Sequence, residues 1–192
     1  MTASGEEPFH VSRFDALLRR LESVVSLAAI VALFAMMLIV VADVFMRYAL
    51  NSPFAWAYDL VGLYLLATVF FLTLSSTFAA HAHVSVDLLM HRLGPLGRRR
   101  AETLGALVGL AVMAPIAWVG VERMLESLAG GDRLPGALPW PTWIADALVP
   151  IGAGLLALRL LLTFIGHAAS LATGRAVIPL TPLSGTEAMG VE

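Results

Sequence analysis

Four stretches of this chain are apolar for long enough to cross a lipid bilayer, and this feature limits its possible folds most. Because a helix rises about 1.5 Å per residue, the roughly 30 Å hydrocarbon core of a membrane requires about twenty apolar residues. The predicted spans are residues 24–42, 60–80, 103–121 and 143–165. Backbone polar groups in hydrocarbon need partners within their own segment, and these runs do not alternate as barrel strands do. The sequence therefore predicts an all-α membrane protein with four transmembrane helices.

Composition also indicates that lipid is the solvent for much of the chain. Hydrophobic residues fill 59% of the 192 positions, charged residues fill only 14%, and the mean hydropathy is +0.85. An ordinary soluble domain is about a quarter charged. The net charge of −2 gives no indication of nucleic-acid binding. The chain has no Cys, which excludes disulfides, thiolate metal ligands and thiol nucleophiles.

The distribution of arginine predicts the orientation of the chain. All twelve basic residues are Arg. The head, the loop between spans two and three, and the tail hold eight of them: Arg13, Arg19, Arg20, Arg92, Arg98, Arg99, Arg100 and Arg175. The two opposite loops hold three, which are Arg47, Arg123 and Arg133. Because basic residues are enriched on the cytoplasmic side, both termini are expected in the cytoplasm.

This layout divides the chain into a cytoplasmic head (1–22), a four-helix membrane domain (23–170) and a flexible cytoplasmic tail (171–192).

Amphipathic segments precede span one and follow span two. Their apolar residues have helical spacing and are Phe14, Leu17, Leu18 and Leu21, then Val86, Leu89, Met90 and Leu93. Two interpretations remain open. The segments either lie in the headgroup layer as interfacial helices or prolong spans one and two into the cytoplasm.

A charged corner separates the first two spans, in the stretch DVFMRYALNSPFAWAYDL that begins at Asp43. Asp43 and Arg47 are four residues apart and share a helical face, and Asp59 begins the second span. We predict that Arg47 bridges Asp43 and Asp59 and thereby fixes the outer hairpin. The alternative is that these charges face headgroups without a specific partner. Pro53 restrains the turn, and Trp56 fits the aromatic belt at the membrane interface.

No catalytic, cofactor or metal site is expected. The five His residues lie in the head, at or beyond the cytoplasmic end of span two, or just after span four, so none is placed at mid-membrane to hold haem. Neither Asp146 nor Arg159 is at the midplane, where a transporter's own ion site is expected. We therefore expect a non-enzymatic chain that does not carry a polar solute alone. The alternatives are a membrane anchor of an electron-transfer complex and a stand-alone small membrane protein.

Together, the motifs resemble the small membrane subunit of tripartite ATP-independent periplasmic (TRAP) transporters, the DctQ-like family. The stretch DVFMRYALNSPFAW is similar to the family's Asp-x-x-x-Arg-Tyr followed by Pro and Trp. The other elements of the resemblance are Asp59, HVSVDLL from His83, LPWPTW from Leu138, PIG from Pro150, and Arg159. The resemblance covers roughly residues 14–170.

This resemblance implies a function and partners. In the family, a large permease subunit carries substrate and sodium, and a periplasmic substrate-binding protein delivers the substrate, typically an organic acid. The small subunit scaffolds the large one. The resemblance thus implies a multi-pass protein of the bacterial inner membrane that contacts lipid and both partners, without a cofactor.

Structural or interface roles are expected for Asp43, Arg47, Asn51, Pro53, Trp56, Asp59, His83, Asp87, Trp140, Trp143 and Arg159. The three Trp residues would set depth in the outer leaflet, as generic belt residues or as docking contacts. His83 and Asp87 would shape the inner turn or would simply be solvated. Arg159 would pair with the large subunit or snorkel toward the headgroups. Loops 51–56 and 133–143 are expected to face the binding protein.

Overall fold

The fold was analysed in a computed structural model, which describes residues 11–79, 94–135 and 138–174. Within these ranges the regular structure is helical, apart from one isolated antiparallel bridge between Arg133 and Pro141. Four helices are long and apolar enough to cross a membrane. The predicted all-α membrane fold with four spans is confirmed.

The four helices are longer than the spans predicted from hydropathy. Helix α1 is Val11–Ala49; α2 consists of an α-helical turn (Ala57–Asp59), a π-helical segment (Leu60–Leu65) and an α-helix (Leu66–Ala79); α3 is Pro95–Gly130; and α4 is Thr142–Thr173. The 39 residues of α1 give a length of about 58 Å. This length is nearly twice the roughly 30 Å hydrocarbon core, so α1 must tilt in the membrane or extend beyond it.

The first amphipathic segment is part of α1. The helix is continuous from Val11 to Ala49, so this segment prolongs span one, which was the second of the two interpretations. The second amphipathic segment, at 86–93, lies outside the described residues, and so do the tail from residue 175 and the site residues His83 and Asp87.

The helices pack in an order that differs from their order along the chain. Helix α1 packs along α2, α2 along α4, and α4 along α3. The buried core lies where α3 and α4 meet, around Ala106, Leu156 and Leu160, and Phe78 of α2 packs against it. Because α2 and α4 each pack against two neighbours, they form the middle of the assembly.

Glycine allows two of these helix pairs to approach closely. A Cβ added at Gly120 of α3 would lie 2.9 Å from Cδ of Pro150 in α4. A Cβ added at Gly152 of α4 would collide with the backbone carbonyl of Phe71 in α2. Small residues are typical of membrane helix interfaces, because association there depends on close packing. The glycines therefore fix how near α4 lies to both of its neighbours.

Candidate functional site

The turn after α1 is formed by backbone contacts around Asn51. Asn51 has a left-handed φ of 52°, a conformation that Asn tolerates better than most residues. The N–H of Ser52 then donates to the carbonyl of Met46 at 3.2 Å. This geometry ends α1 and turns the chain toward α2.

Asp43 joins the two sides of this turn. Its Oδ2 accepts a hydrogen bond from Arg47 at 3.0 Å, and its Oδ1 accepts one from the backbone N–H of Phe54 at 2.7 Å. The second bond connects α1 to the segment that leads into α2, eleven residues further along the chain. The carboxylate of Asp43 is therefore the group that closes the hairpin.

The predicted bridge through Arg47 requires correction. Arg47 pairs with Asp43 as expected, but among the described residues no ion pair joins it to Asp59. The Arg47 side chain is 60% exposed, whereas that of Asp43 is only 15% exposed. The hairpin is held by a carboxylate–backbone bond, and Arg47 contributes a surface pair of the kind that stabilises little.

Aromatic residues complete the outer corner. The rings of Phe54 and Trp56 stack at a centroid distance of 5.3 Å, directly after the exposed Pro53. Asp59 is partly buried at the start of α2. Trp56 is thus packed within the turn, and any role in setting membrane depth stays a prediction.

A second outer contact joins α2 to the start of α4. The Tyr64 hydroxyl donates to the carbonyl of Pro141 at 2.8 Å, and its ring lies 6.0 Å from that of Trp140. Tyr64 lies in the π-helical segment, a helix type that often marks functional positions. Trp140 therefore packs against α2, whereas Trp143 is 38% exposed and is free to face a membrane interface.

Backbone hydrogen bonds join the two ends of the loop that connects α3 to α4. The N–H of Thr142 donates to the carbonyl of Asp132 at 3.2 Å, and the N–H of Leu134 donates to that of Trp140 at 2.9 Å. Next to it, the Ser127 hydroxyl of α3 donates to the Asp146 carboxylate of α4. These contacts fix the outer ends of α3 and α4 relative to each other.

A buried charge network lies among α1, α2 and α4. Arg159 donates from Nη1 to Oε2 of Glu22 at 3.0 Å, and the Ser75 hydroxyl donates to Oε1 of Glu22 at 2.6 Å. The side chains of Arg159 and Glu22 are only 13% and 5% exposed. One carboxylate from α1 is therefore held by α2 and α4 together. We call Glu22, Ser75 and Arg159 the inner triad.

The inner triad changes the interpretation of Arg159. Both predicted alternatives, a partner on another subunit and snorkelling toward the headgroups, treated Arg159 as lacking a partner in its own chain. The structure shows instead an ion pair with Glu22 of the same chain, and both side chains are largely buried. Glu22 and Ser75 were not predicted as site residues, although a carboxylate just before an apolar span is a signal that could have identified Glu22.

A second buried pair lies between α3 and α4. His167 Nε2 is 3.3 Å from Oε2 of Glu102, and both side chains are largely buried. His167 lies near the end of α4, consistent with its predicted place just beyond span four.

These helices and contacts define a class of protein: a multi-span integral membrane protein whose helices are joined by polar contacts at both ends of the spans. Residues 36–170 match the family described as "DctQ: Tripartite ATP-independent periplasmic transporters, DctQ component". The match covers well over half of the chain, which therefore belongs to the DctQ family, the small permease component of TRAP transporters. No match is found among curated proteins.

Family membership establishes the general role of the chain. It is a multi-pass inner-membrane component of a transporter, and its family is not an enzyme family. The family works with a large permease subunit and a substrate-binding protein, which indicates the kinds of partner this chain has.

The outer corner gives a first testable prediction. Replacing Asp43 by Ala leaves the Phe54 N–H without its charged acceptor. We expect this change to lower the free energy of unfolding by about 1–3 kcal/mol. Replacing Arg47 by Ala removes only an exposed ion pair, so we expect the free energy of unfolding to fall by less than about 1 kcal/mol. Thermal unfolding of the two variants in the same detergent measures both effects. An equal effect of the two substitutions would contradict the assignment of the hairpin to Asp43.

Proposed function

We propose that this chain is a rigid membrane brace for the large permease subunit, which itself carries the substrate. The observation that carries this proposal is the inner triad, in which one buried carboxylate holds three helices together. Removing one member of a buried ion pair leaves an uncompensated charge, so such a pair opposes any separation of the helices. A chain held in this way is suited to remain fixed while a partner moves.

The outer side supports the same proposal. The Tyr64–Pro141 bond joins α2 to the base of α4, and the Ser127–Asp146 bond joins α3 to α4. Polar contacts therefore oppose relative movement of the helices at both ends of the membrane domain. The polar groups of the inner triad and of these two outer bonds all form contacts between helices. Such contacts fit a structural role better than a role in binding solute.

The apolar surface of α1 supplies a contact area for the partner. Side chains such as Phe34 and Phe45 are 59% and 64% exposed in the isolated chain. An apolar helix face in a membrane protein contacts either lipid or another membrane-spanning chain. We assign part of this face to the large permease subunit.

Substrate and energy coupling belong to the partners in this proposal. An organic acid would be delivered by the periplasmic substrate-binding protein and carried with sodium by the large subunit. Both termini of the present chain would lie in the cytoplasm, as the arginine distribution predicts. Loops 51–56 and 133–143 would then face the periplasm and the binding protein.

The test is co-purification combined with deletion. The full-length tagged chain, extracted in mild detergent, is expected to capture a larger multi-span protein. Deletion of the chain is expected to abolish uptake of the solute recognised by the binding protein, and the wild-type chain should restore it. A chain that purifies alone, and whose loss leaves that uptake unchanged, would contradict the proposal.

A further inference from the structure

An open groove runs between α3 and α4, beside the Ser127–Asp146 bond that joins these two helices. It has a volume of about 380 Å³ and is lined on the α3 side by Pro115, Ile116, Val119, Gly120 and Arg123. Their spacing places these residues along one face of α3. Asp146 and Val149 of α4 form the other side. We call this cavity the α3–α4 groove.

The lower part of the α3–α4 groove is apolar and is not filled by the chain itself. Gly120 contributes no side chain, and Pro150 of α4 packs so close that an added Cβ would lie 2.9 Å from its Cδ. The Ile116 and Val119 side chains remain 39% and 47% exposed in the isolated chain. The groove therefore offers an apolar surface to a molecule that lies alongside the two helices.

The polarity along the groove follows that of one lipid leaflet. Pro115 lies within the apolar run 103–121, and Arg123 lies two residues beyond its end. The distance along α3 from Pro115 to Arg123 is about 12 Å. This distance is slightly less than the roughly 15 Å that one leaflet contributes to the hydrocarbon core. The charged end of the groove therefore lies at headgroup depth, and its apolar end lies among acyl chains.

The charged end carries one cation and one anion that are both able to bind a ligand. The Arg123 side chain is exposed and makes no ion pair or hydrogen bond among residues 11–79, 94–135 and 138–174. Oδ2 of Asp146 accepts the Ser127 hydroxyl, and its Oδ1 keeps lone pairs for another donor. A ligand that carries both an anion and a cation is complementary to this pair of charges.

We propose that the α3–α4 groove binds one zwitterionic phospholipid with an amine headgroup. The phosphate lies against Arg123, the ammonium lies against Oδ1 of Asp146, and one acyl chain follows Val119 and Ile116. A partner helix that brought a carboxylate to Arg123 would also bring it near Asp146, where like charges repel. The site is formed by this chain alone, so it does not depend on the proposed role as a brace.

Lipid retention tests this site directly. The full-length chain, in the complex in which it is extracted, is delipidated in detergent and incubated with phosphatidylethanolamine or phosphatidylglycerol, and bound lipid is counted by native mass spectrometry. The wild type is expected to retain one phosphatidylethanolamine, and to retain it more strongly than phosphatidylglycerol. Glycerophosphoethanolamine, which has the same headgroup without acyl chains, is not expected to displace it.

Arg123→Gln is expected to weaken retention of phosphatidylethanolamine roughly tenfold. The matched control is Arg133→Gln, which removes the same charge from an exposed residue outside the groove. Because the Arg123 side chain makes no polar contact within the part of the chain that the structure describes, its variant should keep the wild-type unfolding temperature in lipid-free detergent. This measurement separates lost binding from lost folding.

Asp146→Asn tests the contact with the amine. The amide retains an acceptor for Ser127 but carries no negative charge, so we expect the variant to lose the preference for phosphatidylethanolamine over phosphatidylglycerol. Val119→Trp places a bulky ring where the acyl chain is proposed and should reduce retention of both lipids. Its matched control is Val121→Trp, at a position that is 39% exposed and lies outside the groove.

Four results would overturn the site. The first two are a wild type that retains no phosphatidylethanolamine and a wild type that retains both lipids equally. The third is equal retention by Arg123→Gln and Arg133→Gln. The fourth is efficient crosslinking of Val119→Cys to another subunit of the complex, because the groove would then be occupied by protein.

Discussion

Replacing Arg159 by Met is expected to cause one of the two largest losses of stability among single substitutions in this chain. The change leaves the buried Glu22 carboxylate with the Ser75 hydroxyl as its remaining partner in the inner triad. Breaking a buried ion pair from one side costs about 3–5 kcal/mol, because the remaining charge is uncompensated. For a chain of this size, the unfolding temperature in detergent is expected to fall by roughly 10 °C.

A double variant separates lost charge pairing from lost packing. Glu22→Gln together with Arg159→Met removes both charges and retains an acceptor for Ser75, so we expect it to recover most of the stability lost by Arg159→Met alone. Arg123→Met, at an exposed position in α3, is the matched control and should change the unfolding temperature little. If the double variant is as unstable as Arg159→Met, the ion pair does not account for the loss.

Replacing Gly152 by Ala is expected to separate α2 from α4. The added methyl group would occupy the position of the Phe71 carbonyl, and backbone atoms cannot rotate away as a flexible side chain can. Overpacking typically lowers the free energy of unfolding by about 1–3 kcal/mol. We expect a loss of about 3 kcal/mol or more for Gly152→Ala, because the added methyl group clashes with backbone atoms of Phe71. The Tyr64–Pro141 contact depends on the same helix pair and should be lost with it.

Gly154 provides a control two residues away on the same helix. A Cβ at Gly154 meets no atom within 4 Å, so Gly154→Ala should be neutral or stabilising by up to about 1 kcal/mol through helix propensity. The monodisperse fraction after detergent extraction and the unfolding temperature compare the two variants. Similar behaviour of Gly152→Ala and Gly154→Ala would show that the close approach of α4 to α2 is not required.

Hydropathy and the resemblance predicted the class of fold and the family. The four apolar runs predict four spanning helices because lipid leaves a chain few alternatives, and the structure and the family match bear this out. Local spacing also predicted the Asp43–Arg47 pair, since residues four apart on a helix are neighbours. Both predictions depend on residues that are neighbours in the sequence: a continuous apolar run in the first case and two residues four positions apart in the second.

Contacts between distant helices were not predicted. Arg159 and Glu22 are 137 positions apart, and their pairing depends on α4 lying next to α2 and near α1, an order that hydropathy does not specify. The Asp43–Phe54 bond was missed for a related reason, because its donor is a backbone N–H that carries no signal in the side-chain pattern. The prediction that an Arg47–Asp59 ion pair closes the hairpin was therefore wrong, and the Asp43–Phe54 hydrogen bond closes it instead.

Solute flux into proteoliposomes tests the division of labour most directly. Vesicles are prepared with this chain alone, with the large permease subunit alone, or with both, and the substrate-loaded binding protein is added outside. We predict uptake only when both membrane chains are present, and uptake reduced in proportion to loss of assembly when the small chain carries Arg159→Met. Flux through vesicles that contain this chain alone, or full flux in its absence, would contradict its role as a brace.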